Sequence, residues 1–191
     1  IHQATKQFRI AAVTPNSFAD RLILWQRACG RHSLPWQGTR DPYAIWISEI
    51  MLQQTQVDRV IPFFERFLER FPTVEALAEA PVSDVIRLWS GLGYNRRAVN
   101  LQRAARAVVE QYGGRVPRTV KELAALPGVG PYTAGAVACF AYEQDVGFVD
   151  TNIRRVLHRL FIGPDSSERR ATARAIPQLS QPPVPPGEGY H

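Results

Sequence analysis

Leu126-Pro127-Gly128-Val129-Gly130-Pro131-Tyr132-Thr133-Ala134 is the stretch on which the fold turns. Immediately before it, Thr119-Val120-Lys121-Glu122 has the T-x-x-E spacing of a capping box and opens a helix ending at Leu126-Pro127-Gly128. After it, a second helix is predicted from about Tyr132 to Tyr142. Two glycines separated by one apolar residue let the turn take backbone angles closed to other side chains and bring main-chain N–H groups close to a phosphate. The start of the following helix adds a favourable dipole. A tight turn with a glycine C-cap would explain an isolated G-x-G between helices. The nine-residue context reads instead as a helix-hairpin-helix, which grips one DNA strand without reading its sequence. Gly128, Val129, Gly130 and Thr133 are its candidate phosphate contacts.

Outward from this hairpin the chain continues to read as helix. Phe18, Leu22, Trp25 and Cys29 recur at helical spacing after a loose arm over 1–17, and the helix ends near Gly30. Pro42 begins a second helix carrying Ile45, Ile47 and Glu49, and Thr55 with Asp58 resembles a capped restart. Val57, Val60, Ile61, Phe64, Leu68 and Phe71 then mark one buried face, with Pro62 implying a first-turn position or a kink. Thr73 and Ser83 are expected N-caps of two short helices, the second ending at Gly91. Leu101, Ala104, Ala105, Val108 and Tyr112 define a longer helix stopped by Gly113-Gly114, and a further helix follows Asp150. No sustained alternation demands a strand, so an all-α assembly of about ten helices is expected. The proline-rich stretch over 181–191 reads as a linker.

Composition narrows the partners. At 191 residues and 45% hydrophobic content, the chain suits one sizeable core or two small helical lobes. It holds neither an apolar run of the roughly 20 residues a membrane helix needs nor the pattern of a signal peptide, so cytoplasm, nucleoid or an organelle matrix is the expected location. The net charge of +6 is mostly arginine, grouped at Arg96, Arg97, Arg103, Arg106, Arg115 and Arg118 and again at Arg154, Arg155, Arg159, Arg169, Arg170 and Arg174. These groups suit a polyanion, although solvated helix faces would explain charge alone. Cys29 and Cys139 are too far apart for a disulfide framework or a four-ligand metal site, and His2, His32, His158 and His191 form no zinc set.

Two carboxylates carry candidate chemistry. Glu49 lies in Ile45-Trp46-Ile47-Ser48-Glu49-Ile50-Met51-Leu52-Gln53-Gln54-Thr55, an apolar helical neighbourhood in which a buried carboxyl can stay protonated near neutral pH and act as a general acid. A partly exposed helix glutamate is the plainer alternative. Asp150, in Phe148-Val149-Asp150-Thr151-Asn152-Ile153, stands where an N-cap belongs. A cap carboxylate is also preorganised, kept ionised and able to face a developing cation.

Leu34-Pro35-Trp36, Asp41-Pro42-Tyr43, the Ser48 to Val57 stretch, Gly91-Leu92-Gly93-Tyr94, the hairpin and Val149-Asp150-Thr151-Asn152 occur in this order over about Leu34 to Leu160. Together they resemble the helix-hairpin-helix (HhH-GPD) DNA glycosylase superfamily, and most closely the MutY-type adenine DNA glycosylases. The resemblance implies a two-lobed all-α fold with the active site in the cleft between lobes. One lobe is expected over 42–150 with the hairpin at about 120–142, and the other from 18–41 with 151–180. The target base would be flipped from mismatched double-stranded DNA by a monomer. Glu49 would protonate the adenine, Asp150 would stabilise the oxocarbenium-like sugar, and Tyr132 and Asn152 would position these carboxylates. Trp36 would wall the base pocket, and Leu52, Gln54 and Tyr94 would fill or probe the gap in the duplex.

Tyr132 stands where the related endonuclease III class carries a lysine that attacks the sugar, so the resemblance implies a monofunctional enzyme using water. Asn95 replaces the second tyrosine usual after Gly-x-Tyr in adenine glycosylases. The family's [4Fe–4S] cluster cysteines and its C-terminal domain are also missing from the 191 residues. Four cluster cysteines are therefore expected downstream of His191, with the chain a shortened form of a longer enzyme and a naturally cluster-free form as the competing reading. A thymine mismatch glycosylase of the same superfamily and a non-enzymatic hairpin DNA-binding module are the alternative functions.

Overall fold

The structure is a computed structural model, and it describes residues 15–162. The linker over 181–191 and all but the last three positions of the 1–17 arm lie outside these residues, as does 163–180 of the terminal lobe. The described chain is helical throughout, with no strand. Its elements are α1 (Pro15–Cys29), α2 (Pro42–Leu52), α3 (Val57–Arg70), α4 (Val74–Glu79), α5 (Val82–Trp89), α6 (Arg96–Tyr112), α7 (Val120–Ala125), α8 (Pro131–Tyr142) and α9 (Thr151–Leu157), the last running into a π-helical segment at His158–Ile162. Among the described residues no helix is long and apolar enough to cross a membrane.

Two compact units divide the chain. One is Arg31–Phe148, and the other draws on the described residues 15–30 and 149–162. The larger unit is built around α2, whose residues from Tyr43 to Met51 are all buried. A helix apolar on every side belongs in the middle of a core, and α2 packs on α8, α3 and α6. Asp41 sets its start: the carboxylate accepts from the Tyr43 and Ala44 N–H groups at 3.0 and 3.3 Å, and Pro42 takes the first-turn position where no amide is needed. Around it, Phe67 meets Phe71 and Trp89 edge-on at 5.1 and 5.9 Å, joining α3 to α5.

Several local signals act as read. Thr73 caps α4 through the Ala76 N–H, Gly113 ends α6 in the left-handed conformation, and both hydrogen bonds of the Thr119/Glu122 capping box form. Three differ. Gln56 stands at the N-cap of α3 without a side-chain bond, because the Thr55 hydroxyl donates back to the Gln53 carbonyl. Ser83 lies inside α5 behind Pro81, which takes the cap position. Pro62 is not in the first turn of α3: it sits mid-helix and exposed, the position of the kink alternative, where its missing N–H leaves one helical bond unmade.

Candidate active site

Glu49 lies in the last two turns of α2 and is only 9% exposed. No hydrogen bond or ion pair reaches its carboxyl from the described residues. Burial alone therefore acts on it, and pushes its pKa up from 4.5 to about 7. A carboxyl in that state holds a proton at neutral pH and can give it up, which is the property a general acid needs.

Asp150 caps α9. Its Oδ1 accepts from the Ile153 N–H at 2.7 Å, and Asn152 Nδ2 lies 3.5 Å from Oδ2, so one carboxylate oxygen is held and the other is nearly uncommitted. Both residues belong to the smaller unit. In the larger unit the segment leading toward Asp150 is anchored by Phe148, which meets Tyr132 and Phe140 edge-on at 5.4 and 5.5 Å. A Cβ on Gly135 would come within 2.6 Å of the Phe148 Cβ, so the glycine is what lets Phe148 approach α8 this closely. The sequence reading passed over this contact, although a lone glycine inside an apolar helix is the signal for one.

The hairpin between α7 and α8 departs in detail from its sequence reading. Gly128 has φ +77° and lies against Asn100, so it needs to be glycine, whereas Gly130 has an ordinary φ of −84° and open space where a side chain would be. Val129 is buried and its N–H donates to the Leu126 carbonyl at 3.1 Å. Thr133 is 2% exposed and its hydroxyl accepts from Gln53 Nε2 at 3.2 Å. The Val129 N–H and the Thr133 hydroxyl are thus already engaged within the protein. Gly128→Ala is expected to lower stability by about 1–3 kcal/mol. Gly130→Ala should leave stability unchanged and weaken DNA binding about tenfold, roughly one hydrogen bond. Melting curves beside fluorescence-anisotropy titrations check both, and normal binding by Gly130→Ala would remove the hairpin as the grip.

The candidate duplex probes sit on two neighbouring loops of the larger unit. Leu52 is half-buried and Gln54 exposed at the end of α2, while Tyr94 is 65% exposed on the loop before α6. Gln54 and Tyr94 both have left-handed φ, 55° and 51°. Between them lies Arg97, which in the sequence is one of a group of arginines suited to a polyanion. Its guanidinium donates to the carbonyls of Ile50 and Met51 at 2.9 and 3.1 Å and of Gln53, and to Thr55 Oγ1 at 3.1 Å. It also reaches the Leu92 and Gly93 carbonyls at 3.4 and 3.2 Å. Arg106, although exposed, donates through Nε to the Ala78 carbonyl at 3.0 Å. Trp36 is half-buried and packs edge-on against Phe64 of α3 at 5.4 Å.

Comparison with known proteins follows the same outline. Residues 47–182 match the HhH-GPD superfamily of base excision DNA repair proteins. The chain belongs to that superfamily. Among HhH-GPD relatives, the adenine DNA glycosylase of Rattus norvegicus is 47% identical over 82% of this chain and 32% of its own length. That of Mycolicibacterium smegmatis is 48% identical over 70% of this chain and 46% of its own. The chain thus spans about a third of the first relative's length and just under half of the second's. A thermostable thymine-DNA glycosylase superposes with a TM-score of 0.83 at 33% identity, covering 92% of this chain and 82% of its own. Endonuclease III in a non-covalent DNA complex superposes at 0.74 with 24% identity, covering 93% and 81%, and speaks for the fold alone.

The [4Fe–4S] cluster of the resembled HhH-GPD enzymes does not fit the residues present. Four thiolates are needed, and the chain has two cysteines: Cys29 is exposed in the smaller unit, and Cys139 is buried in α8 with its thiol pushed up to about 11. Among the described residues no group of three or more His, Cys, Asp or Glu could hold a metal ion.

Proposed function

We propose that this chain is the catalytic part of a monofunctional adenine DNA glycosylase, which cleaves the N-glycosidic bond of a flipped adenine mispaired with guanine or 8-oxoguanine. The observation that carries the reading is Glu49, a buried carboxyl without a partner among the described residues, whose pKa is raised to about 7. Glu49 transfers its proton to a ring nitrogen of the adenine as the bond to the sugar breaks, so the base leaves neutral. Asp150 faces the positive charge that develops on the sugar. Water then adds to that carbon and gives its proton to the Glu49 carboxylate, restoring the acid, with Tyr132 and Asn152 holding the carboxylates in position. Trp36 lines the base pocket, Leu52, Gln54 and Tyr94 occupy the duplex gap, and the Gly128–Gly130 hairpin grips the backbone. The protein acts as a monomer on mismatched DNA in the cytoplasm or nucleoid. An iron–sulfur cluster, if carried, takes its ligands from outside these residues.

Asn95 and the likeness to a thymine-DNA glycosylase favour thymine opposite guanine as the second reading. Single-turnover base release from duplexes with A opposite 8-oxoguanine, A opposite G and T opposite G separates the two. Release of thymine alone would overturn the adenine assignment, and release of no base would leave a DNA-binding module. Borohydride should trap no protein–DNA adduct, since no lysine stands at Tyr132 to form a Schiff base. Efficient trapping would contradict the monofunctional reading.

A further inference from the structure

We infer that Arg97 is a positioning residue that locks the Gln54 loop and the Tyr94 loop into one rigid element, so that both enter the duplex together. This rests on the reading of Gln54 and Tyr94 as duplex probes. Six acceptors converge on the two terminal nitrogens of one guanidinium. Four belong to the end of α2 and the turn after it, and two to Leu92 and Gly93. Its carbon also lies 5.4 Å from the Trp89 ring centre and 5.6 Å from that of Tyr94. The carbonyls at the C-terminal end of a helix lack partners within the helix, and here a side chain 44 to 47 residues away supplies them.

Among the described residues no other side chain donates to both loops, although each is held separately. Gln53 ties the first to Thr133 of α8. Arg59 of α3 donates to the Gly91 carbonyl, and Trp89 Nε1 donates to that of Gly93. Non-glycine residues with positive φ persist only where their surroundings over-determine them, and both probes are of this kind. The four N–H groups of the two terminal nitrogens, set in one plane, suit the task even though Nε has no partner among the described residues, whereas a lysine ammonium is a point charge with three donors. Arg97 touches neither base nor sugar in this scheme. It stabilises the arrangement that takes the place of the extruded base, and so lowers the cost of flipping rather than the barrier to bond cleavage.

The test uses the intact protein with Arg97→Met and Arg97→Lys. Hydrogen exchange of the 53–55 and 91–94 amides should rise at least about tenfold in both variants, while α3 and α8 keep their protection. Loosening of one loop alone, of neither, or of the whole unit overturns the coupling, whether or not the protein excises adenine. Where the parent excises adenine, both variants should be slowed about 10- to 100-fold on A opposite G. On a duplex with the target adenine as a single-nucleotide bulge they should return to within about threefold of the parent, because an unpaired base is already cheap to extrude. Equal slowing on both substrates, or a normal rate for Arg97→Lys, overturns it. A parent that releases no adenine counts against the proposed function, and the exchange data still judge the coupling.

Discussion

Glu49→Gln should slow single-turnover adenine excision by about 10²- to 10⁴-fold, the range a positioned general acid contributes, while DNA affinity stays within about threefold because phosphate grip lies elsewhere. The same variant has a second signature. Glu49 holds its proton to about pH 7 in the folded chain and loses it near 4.5 when exposed. The folded state therefore binds more protons than the unfolded state between these values, and its stability falls as pH rises through that window. The penalty reaches its full size above pH 7 and amounts to about 3 kcal/mol for a shift of this size. Glutamine cannot ionise, so Glu49→Gln should match the parent in melting temperature near pH 4 and exceed it near pH 8. The excision rate of the parent should fall above about pH 7 as the acid loses its proton. Near-normal excision by Glu49→Gln removes Glu49 from the acid role, and a melting difference independent of pH removes the buried ionisation.

Asp150→Asn should lower excision by about 10²- to 10³-fold, the loss typical of one preorganised electrostatic stabiliser. Asparagine caps a helix as well as aspartate does, so the bond to the Ile153 N–H survives and stability should stay within about 0.5 kcal/mol of the parent. Asp150→Ala loses the cap as well and should be about 1 kcal/mol less stable than Asp150→Asn, with no better activity. Comparing rates and melting curves of the three proteins separates the charge from the cap. An Asp150→Asn protein with parental excision would leave Asp150 a structural residue only.

Much of this molecule is legible one turn at a time. Asp41-Pro42, Thr119 with Glu122, Gly113 and Asp150 mark helix ends because a cap needs only its own side chain and amides two or three residues on. The hairpin and the buried run of α2 are local in the same way, and they place the chain in its superfamily before any contact is known. What the tertiary structure decided concerns partners distant in sequence. That Glu49 is buried and meets no counter-charge among the described residues, that the Thr133 hydroxyl is taken by Gln53 80 residues earlier, and that Arg97 donates to carbonyls of two loops are facts about packing. A residue's type shows what it can donate, accept or ionise. Whether water, a carbonyl or a hydrocarbon wall meets it depends on which helices pack there, and that alone sets a proton's affinity or turns a surface arginine into a brace.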